Sequence, residues 1–302
     1  MMITPLTLML LAQVQPRIDV EPGHQGNPIY IQALHSVWSG AGAKVEFPGP
    51  ILQDGLDASG QHQALLKLAG SERALADLLR DSVTAPSILK VHDQKRNEAT
   101  IRIVDLWFAV RADLAEFHPL DLARQTSGKA AEAGNMRFES RLLTEEELKR
   151  FGLSSEEGQT RSRWFTQLKS RLLDRIAVQT TDETVATRTS DSLVIASRTD
   201  PGFDVDSKLA NRWQSIKRND SVGEWHEYVG GTSYAKVSRL KQPRGMLLVE
   251  FHGAFLEPKA WFQGAPILRS KFAPVAQDQI RQLRRELLRA RKKSQQPSRA
   301  AP

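Results

Sequence analysis

The sequence predicts an α+β fold, with helices first, a mainly antiparallel sheet in the C-terminal half and a basic amphipathic helix at the C-terminus. Three observations support this. Apolar residues recur at helical spacing between residues 28 and 81, β-branched residues dominate much of 178–256, and helical spacing returns after Pro274.

The chain begins with an apolar segment, Ile3 to Ala12, which is typical of a secretory signal. No Lys or Arg precedes it, and an ordinary first strand or buried helix is the alternative. We therefore expect residues 1–16 to be an export segment. Residues 17–27 are polar and rich in turn formers, so they predict a flexible leader.

Helix signals follow this leader. Asn27-Pro28 predicts a helix start, with Asn27 as the cap. Two short helices are predicted next, over 61–69 with Gly70 at its end and over 71–81 with Ser71 as its cap.

Alternating residues from Thr100 to Arg111 predict a strand with one buried face, which carries Val104, Leu106, Phe108 and Val110. Residues 136–142 alternate in the same way. The linker-like stretch 126–135 predicts a boundary between a mixed region, 28–125, and an α+β body, 136–273; a single domain that contains both is the alternative.

The pattern in residues 144–177 predicts two helices. Thr144 and Glu147 match a capping box ahead of a short helix. In the next segment, 159–177, apolar residues recur every four positions and basic residues flank them, so we expect a core-facing helix with a solvated basic side. The apolar positions are Trp164, Leu168, Leu172 and Ile176.

The pattern then becomes that of a β-sheet. Strands are predicted over 178–189, 192–199, 232–240 and 245–256. The last two are separated by the turn formers of 242–245, so they predict a hairpin.

No familiar catalytic motif is present. Cysteine is absent, which excludes disulfides, thiol nucleophiles, iron–sulfur clusters and Cys-ligated zinc. The best candidate pair is Glu250 and His252, which share one face of a predicted strand and could act as base and orienter or as metal ligands. His226 and Glu227 could add a third group. The alternative interpretation is the polar outer face of a half-buried sheet.

The predicted C-terminal helix, residues 274–293, carries most of the net charge. The whole chain has a net charge of +7, and its last 26 residues hold eight Lys/Arg and two Asp/Glu. The apolar side of this helix could pack on the rest of the protein. Its basic side would then be solvated or would meet an anionic surface or nucleic acid. The candidate anion-binding residues are Arg281, Arg284, Arg285, Arg289 and Lys292. Residues 294–302 are expected to be disordered.

These features favour a non-enzymatic, exported envelope protein, periplasmic or extracellular, with a structural or binding role and no cofactor or metal. Residues 278–293 would attract it weakly to an anionic membrane surface or an acidic polymer. One alternative is a hydrolase or metal-dependent enzyme that uses Glu250 and His252. The other is a cytoplasmic nucleic-acid-binding protein, which requires that Met1–Ala12 be retained. No apolar run is long enough to form a transmembrane helix.

Overall fold

The computed structural model describes residues 20–35, 45–217 and 220–295. The predicted export segment, residues 1–16, lies outside this part, as do residues 296–302 of the predicted tail. The α-helices are α1 (Pro28–His35), α2 (Ala58–Ala69), α3 (Glu72–Leu78), α4 (Pro119–Thr126), α5 (Glu145–Lys149), α6 (Lys259–Phe262) and α7 (Arg269–Gln295). Within the described residues, no helix is both long and apolar enough to span a bilayer.

The strands all belong to one antiparallel sheet. They are β1 (Ile88–Lys95), β2 (Ala99–Arg111), β3 (Lys129–Ala133), β4 (Met136–Leu142), β5 (Glu156–Glu157), β6 (Arg161–Leu172), β7 (Ile176–Arg188), β8 (Ser192–Thr199), β9 (Arg212–Ser215), β10 (His226–Glu227), β11 (Gly231–Arg239) and β12 (Met246–Pro258). The main path runs β1-β2-β12-β11-β8-β7-β6-β4-β3. The predicted α+β class, with early helices, a large antiparallel sheet and a C-terminal helix, is confirmed.

Local helix signals act as expected. The Asn27 side chain accepts a hydrogen bond from the Tyr30 amide, 3.0 Å away, and caps α1. Gly70 closes α2 in a left-handed conformation, with φ of 83°. Thr144 and Glu147 form both hydrogen bonds of a capping box at the start of α5.

The helix predicted over 159–177 is wrong, because these residues form β6 and the start of β7. A spacing of four is also a multiple of two, so Trp164, Leu168 and Leu172 fall on one face of a strand as readily as on one side of a helix. Leu173 and Asp174 make the turn to β7 with φ of 53° each. Neither is glycine, so the turn had no clear signal in the sequence.

The described part of the predicted flexible leader is packed against the sheet. Residues Pro22–His24 form a short 3₁₀ helix, and the side chains of His24 and Asn27 are fully buried. Asn27 Nδ2 donates to the carbonyl of Val185, 2.9 Å away. Polar composition misled the prediction here, since these side chains bond to the sheet instead of to water.

The stretch 126–135, predicted as a linker, contains β3, which pairs with β4. Strands from both predicted regions belong to the same sheet: β12 pairs with β2 from Met246↔Arg111 to Pro258↔Ala99. The chain between them is therefore part of the sheet and not a spacer.

The two faces of the sheet have different covers. The outer face carries Lys236, Glu250 and His252. It lies under the N-terminal segment, here residues 20–35 and 45–54, whose Tyr30 packs on Tyr234 with ring centroids 5.0 Å apart. The inner face, which carries Phe108 and Val110, packs against Ile280 of α7. The predicted buried face of β2 is confirmed, and the opposite face is largely buried as well.

Helix α7 is longer than predicted. It begins at Arg269, and Pro274 lies inside it instead of at its start. Its C-terminal half places Ile280, Leu283 and Leu287 on the inner face of the sheet. Its N-terminal half covers the rest of that face, where a cavity remains.

Candidate functional site

A cavity of about 750 Å³ lies between the inner face of the sheet and the N-terminal half of α7. On one side Val104 and Leu106 of β2 stand beside Phe251 and Phe255 of β12. The far wall comes from β4 and β6, with Met136, Phe138, Leu168 and Leu172. Most of the lining is apolar, because period-two alternation sends every second apolar residue of these strands to the same face.

Helix α7 covers this cavity with Phe272, Val275 and Ala276. The Phe272 ring packs on Phe255 of β12, with centroids 5.8 Å apart. Two arginines on either side of this stretch anchor the helix to the sheet. Arg269 donates to Asp93 of β1 over 2.9 Å, and Arg284 is buried and donates to the carbonyl of Ala109 over 2.9 Å.

Trp261 and Tyr228 close one end of the cavity, and their rings lie 5.3 Å apart. The Trp261 side chain is buried and also lines the cavity. Its indole Nε1 has no hydrogen-bond partner among the described residues.

One carboxyl group interrupts the apolar lining. Asp182 of β7 is half-buried and lines the cavity. Its oxygens accept hydrogen bonds from Thr180 over 3.0 Å and from Thr199 over 2.8 Å. Burial raises the pKa of the Asp182 carboxyl above its usual range, although these two hydrogen bonds act in the opposite direction. Sequence reasoning missed Asp182, because the cavity forms only when distant strands and α7 come together.

The sequence-predicted pair, Glu250 and His252, lies on the outer face, away from this cavity. Both side chains are fully buried, so the alternative of a polar outer face open to solvent is wrong. Glu250 accepts hydrogen bonds from the Ile51 amide over 2.9 Å and from Trp107 Nε1 over 3.2 Å. The N-terminal segment that covers this face supplies Ile51, and no pattern in the sequence predicts this contact.

The third titratable group beside His252 is Asp105, whose Oδ1 lies 2.7 Å from His252 Nδ1. Burial alone lowers the pKa of His252, but the hydrogen bonds and charges of Asp105 and Glu250 outweigh it and raise that pKa above its ordinary value. His226 and Glu227 are not brought to this group. They lie on exposed β10, where His226 stacks on Trp213.

A second buried polar cluster joins the N-terminal segment to the outer face. Ligand atoms of Glu21, His24 and Asp54 lie within 4.8 Å of one another, a spacing compatible with a metal ion. The ammonium group of Lys236 already supplies a positive charge there. It bonds to Glu21, to Asp54 over 3.1 Å and to the Leu52 carbonyl over 2.9 Å. The cluster therefore fits an internal ion-pair network better than a metal centre.

The predicted anion-binding residues of α7 differ in their exposure to solvent. Four of them are exposed on the side of α7 that faces away from the sheet: Arg281, Arg285, Arg289 and Lys292. Arg284 does not fit the prediction of an anion-binding residue. It is buried, and its guanidinium donates to the carbonyls of Ala85 and Ala109. A side chain that satisfies these backbone groups is not available to an external anion.

No protein-family model matches the chain, and no curated protein sequence matches it either. Among solved structures, it is similar to the crystal structure of human STARD10. The identity is 9% over 81% of this chain and 87% of that chain, with a TM-score of 0.34. A likeness this weak carries no inference about function, so the cavity's own geometry must supply it.

Proposed function

We propose that this chain is a binding protein for an apolar or amphipathic small molecule, held without a covalent bond in the cavity beneath α7. The observation that carries the proposal is the cavity itself, about 750 Å³ with mainly apolar walls. Ligand sites typically measure roughly 300–1,000 Å³ and combine apolar walls with a few polar groups. A bound apolar molecule would supply the dispersion contacts that the lining side chains otherwise lack.

Ala276 offers the sharpest test, because it lies on α7 and lines the cavity. We expect Ala276→Trp to fill the space and weaken the binding of a fluorescent long-chain probe by about tenfold or more. The matched control is Ala273→Trp, since Ala273 is exposed on the same helix and does not line the cavity. Titration of the probe into both variants and the wild type measures the effect.

Thermal unfolding of both variants shows whether each is folded and as stable as the wild type. Equal probe binding by Ala276→Trp and Ala273→Trp, with both folded, would contradict binding in this cavity. The same conclusion would follow if native mass spectrometry and probe titration found no apolar ligand bound to the wild type.

A second proposed property is weak attraction to an anionic surface. It is supported by the exposed cations of α7, Arg281, Arg285, Arg289 and Lys292, which lie on the side of the helix away from the sheet. Each such side chain is worth about 1 kcal/mol near a charged membrane. The two properties are compatible, because the same helix covers the cavity and carries these charges.

An exported, envelope-associated and non-enzymatic role remains a proposal. It is supported by the apolar segment Ile3–Ala12 and by the absence of cysteine. The hydrolase alternative is less well supported, since Glu250 and His252 are fully buried and neither lines the cavity. Mass spectrometry of the mature N-terminus separates export from the cytoplasmic nucleic-acid-binding alternative, which needs an intact Met1–Ala12.

A further inference from the structure

A polar strip crosses the inner face of the sheet on two neighbouring strands. It consists of Thr180, Asp182 and Thr184 on β7 and Ser197 and Thr199 on β8. Thr184 and Ser197 are joined by a hydrogen bond of 3.1 Å, and Asp182 is bonded to the other two threonines. Four of the five residues line the cavity beneath α7, the exception being Thr184. The strip is therefore a polar area on an otherwise apolar wall.

Within the described part of the chain, Asp182 makes no salt bridge, and its side chain accepts hydrogen bonds from Thr180 and Thr199. Arg198 also lines the cavity, but its guanidinium bonds on the outer face to Glu183 over 2.8 Å and to Gln32 over 2.9 Å. Arg102, on the inner face, is held by Glu257 and by Asp93.

One position of the cavity wall near Asp182, beyond Thr199, is a glycine. Thr199 pairs with Asp182 across β7 and β8. On the next strands Gly231 pairs with Phe255, so the position between Thr199 and Phe255 carries no side chain. A methyl group at Gly231 would come within 2.6 Å of the Ala254 carbonyl oxygen. The geometry therefore excludes a side chain at Gly231, in the wall between Thr199 and Phe255.

From these contacts we infer that the cavity selects amphiphiles whose head group donates a hydrogen bond to the Asp182 carboxyl group, namely long-chain amines or alcohols rather than fatty-acid anions. This inference rests on the proposed function. A carboxyl group in an apolar wall is stabilised by a hydrogen-bond donor that replaces the water it has lost. A bound carboxylate would instead place a second acidic group beside it, which is unfavourable.

Three probes of one chain length test the inference: a primary amine, an alcohol and a carboxylate. We expect the wild type to bind the amine and the alcohol each about tenfold more tightly than the carboxylate. Asp182→Asn keeps the shape and one acceptor oxygen but removes the charge and adds an N–H donor. It should therefore reduce the preference for the amine over the carboxylate by about tenfold while alcohol binding changes little.

The matched control is Asp174→Asn, at the exposed turn between β6 and β7, where Asp174 pairs with Arg171. It should leave all three affinities unchanged. The wild-type order of affinities is measured even if Asp182→Asn fails to fold, so it tests the inference independently.

If the three probes bind the wild type equally well, head-group selection by Asp182 is wrong, while ligand binding in the cavity still stands. If Asp182→Asn folds and leaves the amine-to-carboxylate ratio unchanged, the inference is also overturned. Absence of binding by every probe, together with no effect of Ala276→Trp on any apolar ligand, would instead refute the proposed function itself.

Discussion

His24 shows how a single residue can link the N-terminal segment to the sheet. Its ring is fully buried, with Nδ1 2.9 Å from Thr187 Oγ1 and Nε2 2.8 Å from Ser192 Oγ. Burial, and after it the positive charge of Lys236, lower the pKa of His24 to about 4 from an ordinary value of 6.5. The folded protein therefore holds this imidazole in its neutral form at a pH where the unfolded chain would already be protonated.

This difference predicts a loss of stability in acid. Between pH 6.5 and about 4 the unfolded state binds a proton at His24 that the folded state does not, so the free energy of unfolding falls as the pH falls through this window. One such proton contributes up to about 1.4 kcal/mol per pH unit. His24→Gln removes the titration, so we expect a shallower slope of unfolding free energy against pH in that range.

Chemical denaturation at several pH values measures these slopes. His62→Gln is the control, because His62 is exposed and its ion pair with Glu72 lies on the surface. The slope should stay the same in that variant. A slope equally steep in His24→Gln and the wild type would show that other groups cause the acid dependence.

At the level of elements, α7 depends on Arg284. Strand β1 ends its pairing with β2 at Ile88↔Trp107, so no strand among the described residues pairs with β2 near Ala109 on that side. Arg284 takes the place of a strand, since Nε and Nη2 donate to the Ala109 carbonyl over 3.1 Å and 2.9 Å. Its Nη1 also donates to Ala85, at 2.5 Å. Buried carbonyls left without donors would cost about 1–3 kcal/mol each.

We therefore expect Arg284→Met to lower the free energy of unfolding by about 2 kcal/mol or more and to speed amide hydrogen exchange in α7. Methionine keeps the apolar stem but provides no donor. Arg285→Met, at the exposed neighbouring position, should change both quantities little. If the two variants exchange at the same rate, the carbonyl contacts of Arg284 do not hold the helix in place.

Local signals in the sequence were sufficient for several elements and misleading for others. The caps at Asn27, Ser71 and Thr144 lie within a few residues of the groups they bond, so the pattern alone locates them. Strand β6 was misread because apolar residues at Trp164, Leu168 and Leu172 satisfy helix and strand periods together. Only pairing with β4 and β7 distinguishes the two, and pairing is a property of distant residues.

The candidate site depends on the same distant pairing. Leu106, Phe138 and Asp182 come from separate strands and meet only because the sheet brings them to one face beneath α7. No segment of the sequence contains this cavity, so only its parts could be predicted: alternating strands and one amphipathic helix. The pair Glu250 and His252 was visible because two positions on one strand suffice to reveal it, but its burial depends on a cover from the N-terminal segment.

At the scale of the whole molecule, charge is distributed unevenly. Residues 1–276 hold 34 Lys/Arg and 33 Asp/Glu, so most of the net charge of +7 belongs to α7 and the residues after it. In the structure these cations have two kinds of environment. Arg284 and Arg291 bond to the body, the latter to Asp81 over 3.3 Å, whereas Arg281, Arg285, Arg289 and Lys292 are exposed. The positive electrostatic field that α7 presents to a partner is therefore weaker than the sequence alone suggests.

Replacing these four exposed residues by Gln should abolish binding to anionic lipid vesicles at low salt, because each cation contributes about 1 kcal/mol. Deleting α7 is a poorer test, since it would also uncover the cavity. The wild type should pellet with anionic vesicles but not with neutral ones. Its binding should fall as salt approaches about 0.15 M, where the screening length is about 8 Å.

The control replaces four exposed cations elsewhere by Gln: Lys67, Arg73, Lys149 and Lys217. Both variants have the same net charge, so a difference between them reports on position and not on total charge. We expect the control to pellet like the wild type and the α7 variant to remain in the supernatant. If both lose binding equally, attraction depends on overall charge alone, and α7 has no special role at an anionic surface.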